Sequence, residues 1–297
     1  MFSHQSRRDW LKTVVVSAAG AAGLARAGTA QEAAAPAPAP QGAPPWPFYA
    51  MDTGLRGPDV PTVEARVGLL KELGYAGIEY TLGGRQLPQV LEQLDKHALQ
   101  LWGVYTTPSL EGGLAADLEE SVKLMKGRPT RIELCINSKE FKPSDPAGDA
   151  KAADLLKRAS DMAGDTGPVV SVYPHRGSWT ERVEDGMRLG AQVNRPNVGT
   201  NFNLVHWKWV GSAKPLEALL AEALPHLKAV TINGLAGDKI VPLDEGDYDV
   251  AGFVAVLKKV GYRGPVGFQG YGIKGPSQEF LKRTMEKWRE ILAKLST

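Results

Sequence analysis

From residue 47 onward the sequence predicts a single α/β domain, a (βα)8 TIM barrel. Three observations carry that reading. Short apolar runs alternate with amphipathic stretches of 10–16 residues eight times over. The alternation fits in about 250 residues, the usual length of this barrel. No interior linker and no repeat beyond the strand–helix unit divides it. A doubly wound open sheet is the other fold such units build, and eight units in this length favour closure.

The elements follow in order. Strands are expected over 47–51, 76–81, 99–105, 131–137, 168–173, 197–203, 227–233 and 265–269. Each is a short run rich in β-branched, aromatic or other apolar residues. Helices are expected over 62–73, 86–97, 114–126, 149–164, 180–193, 214–224, 249–260 and 277–293. Gly74, Gly164, Pro196, Pro225 and Gly261 follow helices and act as stops. The segment Lys142–Asp149 reads as a rigid loop ending in an Asp cap. The acidic stretch from Asn233 to Asp249 lacks EF-hand spacing and reads as an exposed loop capping the next helix.

The first thirty residues read as an address. Ser6-Arg7-Arg8-Asp9-Trp10-Leu11-Lys12 is a twin-arginine pattern, and a mild apolar run from Thr13 to Leu24 follows it. Arg26 precedes small-residue cleavage options after Ala27 or Ala30. Residues 1–30 are thus expected to be a twin-arginine export signal, and the protein periplasmic or extracellular. Residues 31–46 are Ala/Pro-rich and read as an extended linker. The barrel is expected over 47–297.

Composition removes several functions. Lys+Arg 35 against Asp+Glu 33 gives a formal charge of +2, and removing the signal leaves 31 basic against 32 acidic residues. That balance excludes a strongly basic nucleic-acid footprint. Cys135 is the one cysteine, which excludes an internal disulfide and a Cys-rich zinc module. No apolar run reaches the roughly 18 residues that a membrane span needs. The oligomeric state stays open, a homo-oligomer included.

Side chains alternate in and out along a strand, and barrel chemistry sits at the C-terminal ends. Ile78 and Tyr80 are expected to face the helices and Glu79 the interior. Ile132, Leu134 and Ile136 likewise leave Glu133, Cys135 and Asn137 inside. Val170 and Val172 leave Ser171 and Tyr173 inside, with His175 just beyond. Asn201 and Asn203 share one face, as do Thr231 and Asn233, and Gln269 and Tyr271 lie opposite Val266 and Phe268. Such a convergence of polar groups on one mouth points to a ligand site, the alternative being a polar plug satisfied within itself.

Leu73-Gly74-Tyr75-Ala76-Gly77-Ile78-Glu79, Tyr173-Pro174-His175, Asn203-Leu204-Val205-His206 and Gly261-Tyr262-Arg263-Gly264-Pro265 resemble the xylose-isomerase-like TIM barrel superfamily over about residues 47–293. The resemblance implies a sugar isomerase, epimerase or lyase. It also implies one divalent metal on a Glu, Asp, His and Glu from strands five to eight. Here those positions read Tyr173, Asn203, Thr231 and Gln269. This neutral set lacks the anionic oxygens and imidazole that hold such a cation. No metal is therefore expected there. A relocated divalent site on His175, His206 and Glu79 or Glu133 is a chemical alternative.

The catalytic candidates are His206 and His175, with Glu79 or Glu133 as the partner carboxylate, since imidazole is suited to proton transfer near neutral pH. Tyr173, Asn203, Asn233, Gln269, Tyr271, Trp207 and Lys274 are the substrate-binding candidates. Trp207, in the run His206-Trp207-Lys208-Trp209, offers a flat face to a sugar, and Trp179 is a similar candidate. His97 and His226 read as structural. Gly270–Gly275 matches G-x-G-x-x-G, but no further βαβ unit follows, so NAD binding is excluded; the loop could cradle an anion, with Lys274 helping. The expected function is proton transfer next to a carbonyl on a neutral carbohydrate or polyol without the usual metal. The alternatives are a non-catalytic carbohydrate-binding barrel and a metal enzyme with a relocated site.

Overall fold

A computed structural model describes residues 46–83 and 86–296. The expected export signal and all but the last residue of the expected linker lie outside the described residues. That last residue, Trp46, is buried against Trp288 and donates its indole N–H to the Tyr262 carbonyl at 2.8 Å.

The chain alternates as expected: β1 (Phe48–Met51), α1 (Val63–Leu73), β2 (Gly77–Thr81), α2 (Leu87–Lys96), β3 (Gln100–Thr106), α3 (Leu118–Leu124), β4 (Arg131–Leu134), α4 (Asp149–Ala163), β5 (Val169–Val172), α5 (Val183–Val193) and β6 (Val198–Asn203). Then come α6 (Leu204–Val210), α7 (Leu216–Ala223), β7 (Leu227–Ile232), a hairpin of β8 (Gly234–Ala236) and β9 (Lys239–Val241), α8 (Val250–Lys259), β10 (Val266–Phe268) and α9 (Ser277–Ser296). The parallel strands close in the order β1-β10-β7-β6-β5-β4-β3-β2. The fold is a (βα)8 barrel. Two elements, α6 and the hairpin, are additions to the expected series. Among the described residues no helix is long and apolar enough to cross a membrane.

Local signals act where the sequence places them. Thr62 accepts from the Ala65 N–H to cap α1, and Gly74 ends it at φ 86°, a left-handed conformation that glycine takes without strain. Asp249 caps α8 through the Gly252 N–H. Of the other acidic residues in that loop, Asp244 and Glu245 pair with Arg283. The end of α5 differs from expectation: Asn194, not Pro196, supplies the left-handed cap.

Packing divides by face as the alternation predicts. Ile78, Tyr80, Ile132, Leu134, Ile136, Val170, Val172, Val230, Ile232, Val266 and Phe268 join the helices in the outer core. Tyr49, Met51, Cys135 and Tyr173 form a separate inner cluster with Trp102 and Tyr105. A bulge in β3 puts Trp102 between the partners of Ile78 and Glu79. Gly267 leaves room for the Tyr49 ring, which a Cβ there would meet at 2.3 Å.

The interior also holds ions. Arg131 donates from Nε to Glu133 Oε1 at 2.8 Å and from Nη2 to the Tyr49 hydroxyl at 3.0 Å. Tyr49 donates to Glu79 Oε2 at 3.1 Å. Gly103 makes this possible, because a Cβ there would stand 2.7 Å from Glu133 Oε1 and 3.1 Å from Glu79 Cγ. Two carboxyl groups thus share one guanidinium in a dry space. Burial, and then the adjacent Glu133, push the Glu79 carboxyl well above the usual range, so it keeps its proton. The other oxygens, Glu79 Oε1 and Glu133 Oε2, have no protein partner besides each other's carboxyl group. One proton held between them satisfies both.

This arrangement makes Arg131 the residue whose loss is costly. Arg131→Ala should destabilise the fold by about 3–5 kcal/mol, because it strands buried carboxyl groups. Glu79→Gln should be mild, since the amide keeps the shape and donates in place of the acid. The sign with pH follows from Glu79's raised pKa. The folded state holds a proton that the unfolded chain releases above about pH 4.5, so wild-type stability falls as pH rises past that value. Thermal unfolding from pH 4 to 8 should show Glu79→Gln gaining on wild type as pH rises; a constant difference would contradict the shared proton.

Candidate active site

The C-terminal ends of the barrel strands enclose a cavity of about 340 Å3, within the usual range for small-molecule sites. Its walls come from Met51 at the end of β1 and Thr53 and Arg56 after it, from Thr81 and Tyr105 at the ends of β2 and β3, and from Tyr173, His175 and Arg176 after β5. His206 and Trp209 on α6, Ile240 on the hairpin, and Gln269 and Tyr271 after β10 complete it.

The floor is one hydrogen-bonded knot. Asn203 Nδ2 lies 2.6 Å from the Tyr173 hydroxyl, 2.8 Å from Thr231 Oγ1 and 2.8 Å from Gln269 Oε1. The Tyr173 and Thr231 hydroxyls also bond to each other. Asn203 Oδ1 accepts from the His206 N–H at 3.1 Å and so caps α6. The amide orientation is therefore set from both ends. All four residues are buried, and none is a carboxylate or an imidazole.

Above the floor, the rings of His175 and His206 lie 3.9 Å apart between centroids. His206 is 3% exposed. Its Nδ1 faces the Arg176 N–H at 3.4 Å, which assigns the proton to Nε2. That Nε2 is buried without a protein partner. Burial, then the neighbouring His175 and Arg176, pull the His206 pKa down to about 3, so the ring is neutral at ordinary pH. His175 Nδ1 meets the Arg176 carbonyl at 2.9 Å, which assigns a proton to Nδ1 and leaves Nε2 as its basic nitrogen. Burial lowers its pKa as well.

Of the four catalytic candidates, the structure brings His175 and His206 together and keeps Glu79 and Glu133 apart from them. The two glutamates stand in the interior on Arg131 and Tyr49 and do not line the cavity. Among the described residues no three His, Cys, Asp or Glu side chains converge as a metal site. The relocated set of two histidines with Glu79 or Glu133 is thus not assembled.

Of the binding candidates, Tyr173, Gln269 and Tyr271 line the cavity, and Asn203 ties the floor beneath it. Asn233 is buried elsewhere and turns its Nδ2 onto the Gly234 carbonyl. Trp207 faces out and packs on Phe202, so the aromatic wall is Trp209, which meets His206 edge-on at 5.5 Å. Trp179 is buried and donates to the Asp145 carbonyl. Lys274 lines a neighbouring groove of about 490 Å3 that shares Trp209, Ile240 and Tyr271 with the cavity. Beyond the loop Gly270–Gly275, at the start of α9, the Asp59 carboxylate accepts the Ser277 and Gln278 N–H groups.

Sequence reasoning missed Arg56, Arg176, Tyr105 and Trp209. Tyr105 was within reach, being the last inward residue of its strand. Trp209 lies three residues after His206 on α6 and so shares its face.

The histidine pair gives a prediction that needs no substrate. In a 1H–13C NMR titration of the ring Cε1–H signals, His206 should stay neutral down to about pH 3, and His175 should titrate below its ordinary 6.5. A His206 signal that moves with a midpoint near 6.5 would show that the ring is not held neutral.

Comparison with known proteins agrees with this geometry. L-ribulose 3-epimerase superposes with a TM-score of 0.70 at 12% identity, covering 84% of this chain and 95% of that one. D-allulose 3-epimerase from Methylomonas sp. gives 0.66 at 16%, covering 83% and 98%. 3-Keto-D-glucoside 4-epimerase from E. coli gives 0.64 at 16%, covering 84% and 99%. At these identities the likeness is one of fold. No curated protein sequence matches the chain. Residues 67–291 match the family described as xylose isomerase-like TIM barrel, and the chain belongs to that family.

Proposed function

We propose that the chain is an exported carbohydrate-active enzyme that moves a proton next to a carbonyl with its own histidines and without a divalent metal. The observation that carries this reading is the place of Asn203 Nδ2, held 2.6–2.8 Å from three oxygens of Tyr173, Thr231 and Gln269. These are the positions at which the superfamily resemblance implies metal ligands. An N–H donor points to the middle of the set, where a cation needs lone pairs. The four residues do not fit a divalent ion. The structural neighbours named as epimerases support a carbohydrate ligand, and the twin-arginine pattern supports a periplasmic or extracellular place.

The residues give a consistent division of labour. His206 offers a neutral Nε2–H donor to a carbonyl oxygen, and in a water-poor pocket such a donor stabilises an oxyanion. His175 Nε2 takes the proton from the adjacent carbon. The C–H pair becomes the C=C bond of an enediolate, and the carbonyl pair moves to the oxygen held by His206. Return of the His175 proton to the former carbonyl carbon, with the hydroxyl proton of the neighbouring carbon released as the new carbonyl forms there, gives an isomer. Departure of a β-hydroxyl as water with that proton gives a lyase product. An epimer requires a second donor on the opposite face. Tyr271 and Trp209 offer flat faces to the sugar ring.

The tests follow. Purified barrel incubated with Mn, Co and Zn and then dialysed should retain none of them; one retained equivalent, lost in His206→Ala, would overturn the metal-free reading. Turnover of a carbohydrate panel should survive chelation. His175→Ala and His206→Ala should each lower kcat by about 10²–10⁴-fold with ligand binding kept. Binding without turnover in wild type would instead mark a carbohydrate-binding barrel. Asn203→Asp removes the donor that Gln269 Oε1 accepts from and buries a charge, which the Tyr173 and Thr231 hydroxyls only partly offset by turning to donate, and should cost about 1–3 kcal/mol of stability, read by thermal unfolding.

A further inference from the structure

Among the described residues, every charged side chain that lines the active-site cavity is a cation. Arg56 and Arg176 both face it, the two histidines beside them are neutral, and no aspartate or glutamate is among its lining residues. Arg56 is half-exposed, and Asp52, which also accepts from the Thr81 backbone N–H at 3.0 Å and hydroxyl at 2.7 Å, lies 3.8 Å away and offsets part of its charge. Arg176 lies over the Trp209 ring at 5.6 Å, which orients the guanidinium without neutralising it, and no ion pair joins it to a carboxylate among the described residues. Three buried polar atoms of residues on the same walls, His206 Nε2, Thr53 Oγ1 and Trp209 Nε1, have no hydrogen-bond partner among the described residues. The cavity therefore has neutral donors in its depth and two guanidinium groups at its rim.

We infer that the ligand is a polyhydroxy carboxylate, a sugar acid of the aldonate or uronate class, whose carboxylate meets Arg176 and Arg56 while its hydroxyls and carbonyl lie toward Gln269, Tyr173 and His206. The inference rests on the carbohydrate reading above and refines it, since the floor positions by themselves pointed to a neutral ligand. A planar carboxylate matches the guanidinium fork in two parallel hydrogen bonds. A phosphate dianion fits less well. Asp52 offsets part of the Arg56 charge, the N-terminus of α6 is capped by Asn203, and that of α9 is filled by Asp59. Neutral histidines suit an anionic ligand too, because they add no charge that would hold the carboxylate in the wrong place.

The experiment is calorimetric binding of D-gluconate, D-glucuronate and D-galacturonate beside D-glucose, D-galactose and D-glucose 6-phosphate, at two salt concentrations. At least one acid should bind about tenfold or more tightly than its neutral counterpart and should weaken as salt rises. Arg176→Gln should remove that preference and leave neutral-sugar binding in place. Neutral sugars binding as tightly as the acids, or the phosphate binding most tightly, would overturn the inference and leave the carbohydrate reading standing. No binding by any of the six would count against both. An acid preference that persists in Arg176→Gln and in Arg56→Gln would also overturn it, because the charge would then come from elsewhere.

Discussion

Asn203 joins the scaffold to the chemistry. It ends β6 and starts α6, and its side chain is used at both ends. Oδ1 caps the helix by accepting from the His206 N–H, while Nδ2 reaches the ends of three other strand segments through Tyr173, Thr231 and Gln269. A seven-residue helix has too few internal hydrogen bonds to be stable alone. Its position therefore depends on the cap and on packing, and the position of His206 depends on the helix. The knot that closes the barrel floor is the same one that places the imidazole, so neither can shift without the other.

Charge in this barrel is arranged by depth. In the interior, Arg131 stands between two carboxyl groups, and the excess negative charge is removed by keeping a proton on Glu79 rather than by a second cation. The next layer, formed by Tyr173, Asn203, Thr231 and Gln269, carries no charge. Only at the rim do charges reappear, on Arg56 and Arg176. Burying an unpaired ion costs several kcal/mol, whereas an exposed arginine keeps much of its hydration. The rim is thus where a charge meant for a ligand costs the fold least.

Much of the fold was legible in the sequence, because strand alternation is a local rule. Glu79, Glu133, Ser171, Tyr173 and Thr231 face inward as their apolar neighbours indicate, and Asn203 and His206 lie where the Asn-x-x-His segment suggests. What alternation does not supply is the partner. Glu79 and Glu133 were candidates for catalysis because an inward carboxylate looks available. Arg131, two residues before Glu133 on the same face, makes them a structural pair, and it could have been weighed by the same rule. Trp207 and Trp209 show a different limit. Read as a loop, the run after β6 gives no reason to separate them. Read as a helix, residues two apart point to different sides, and only Trp209 shares the His206 face. Arg56 and the hairpin residue Ile240 reach the mouth from irregular or separate segments, where periodicity carries no information.

The loss of the usual ligand types need not mean loss of a site. A metal at the end of a barrel does two jobs: it gathers four strand ends, and it polarises an oxygen of the ligand. Here the first job falls to an amide that bonds three side chains at once, which is a neutral way to hold the same four positions together. In the proposed function the second falls to the buried His206 Nε2–H, which has no hydrogen-bond partner among the described residues. Such a donor is weaker than a dication, and it gains strength only where water is excluded and the dipole is already oriented. His206 is buried and its ring is oriented by the Asn203 cap on its helix, by Trp209 at its edge and by His175 packed against it at a tilt. On the proposed reading, hydrogen bonds take the place of coordination in binding and polarising a carbonyl, and the two rim arginines meet a ligand that brings its own negative charge.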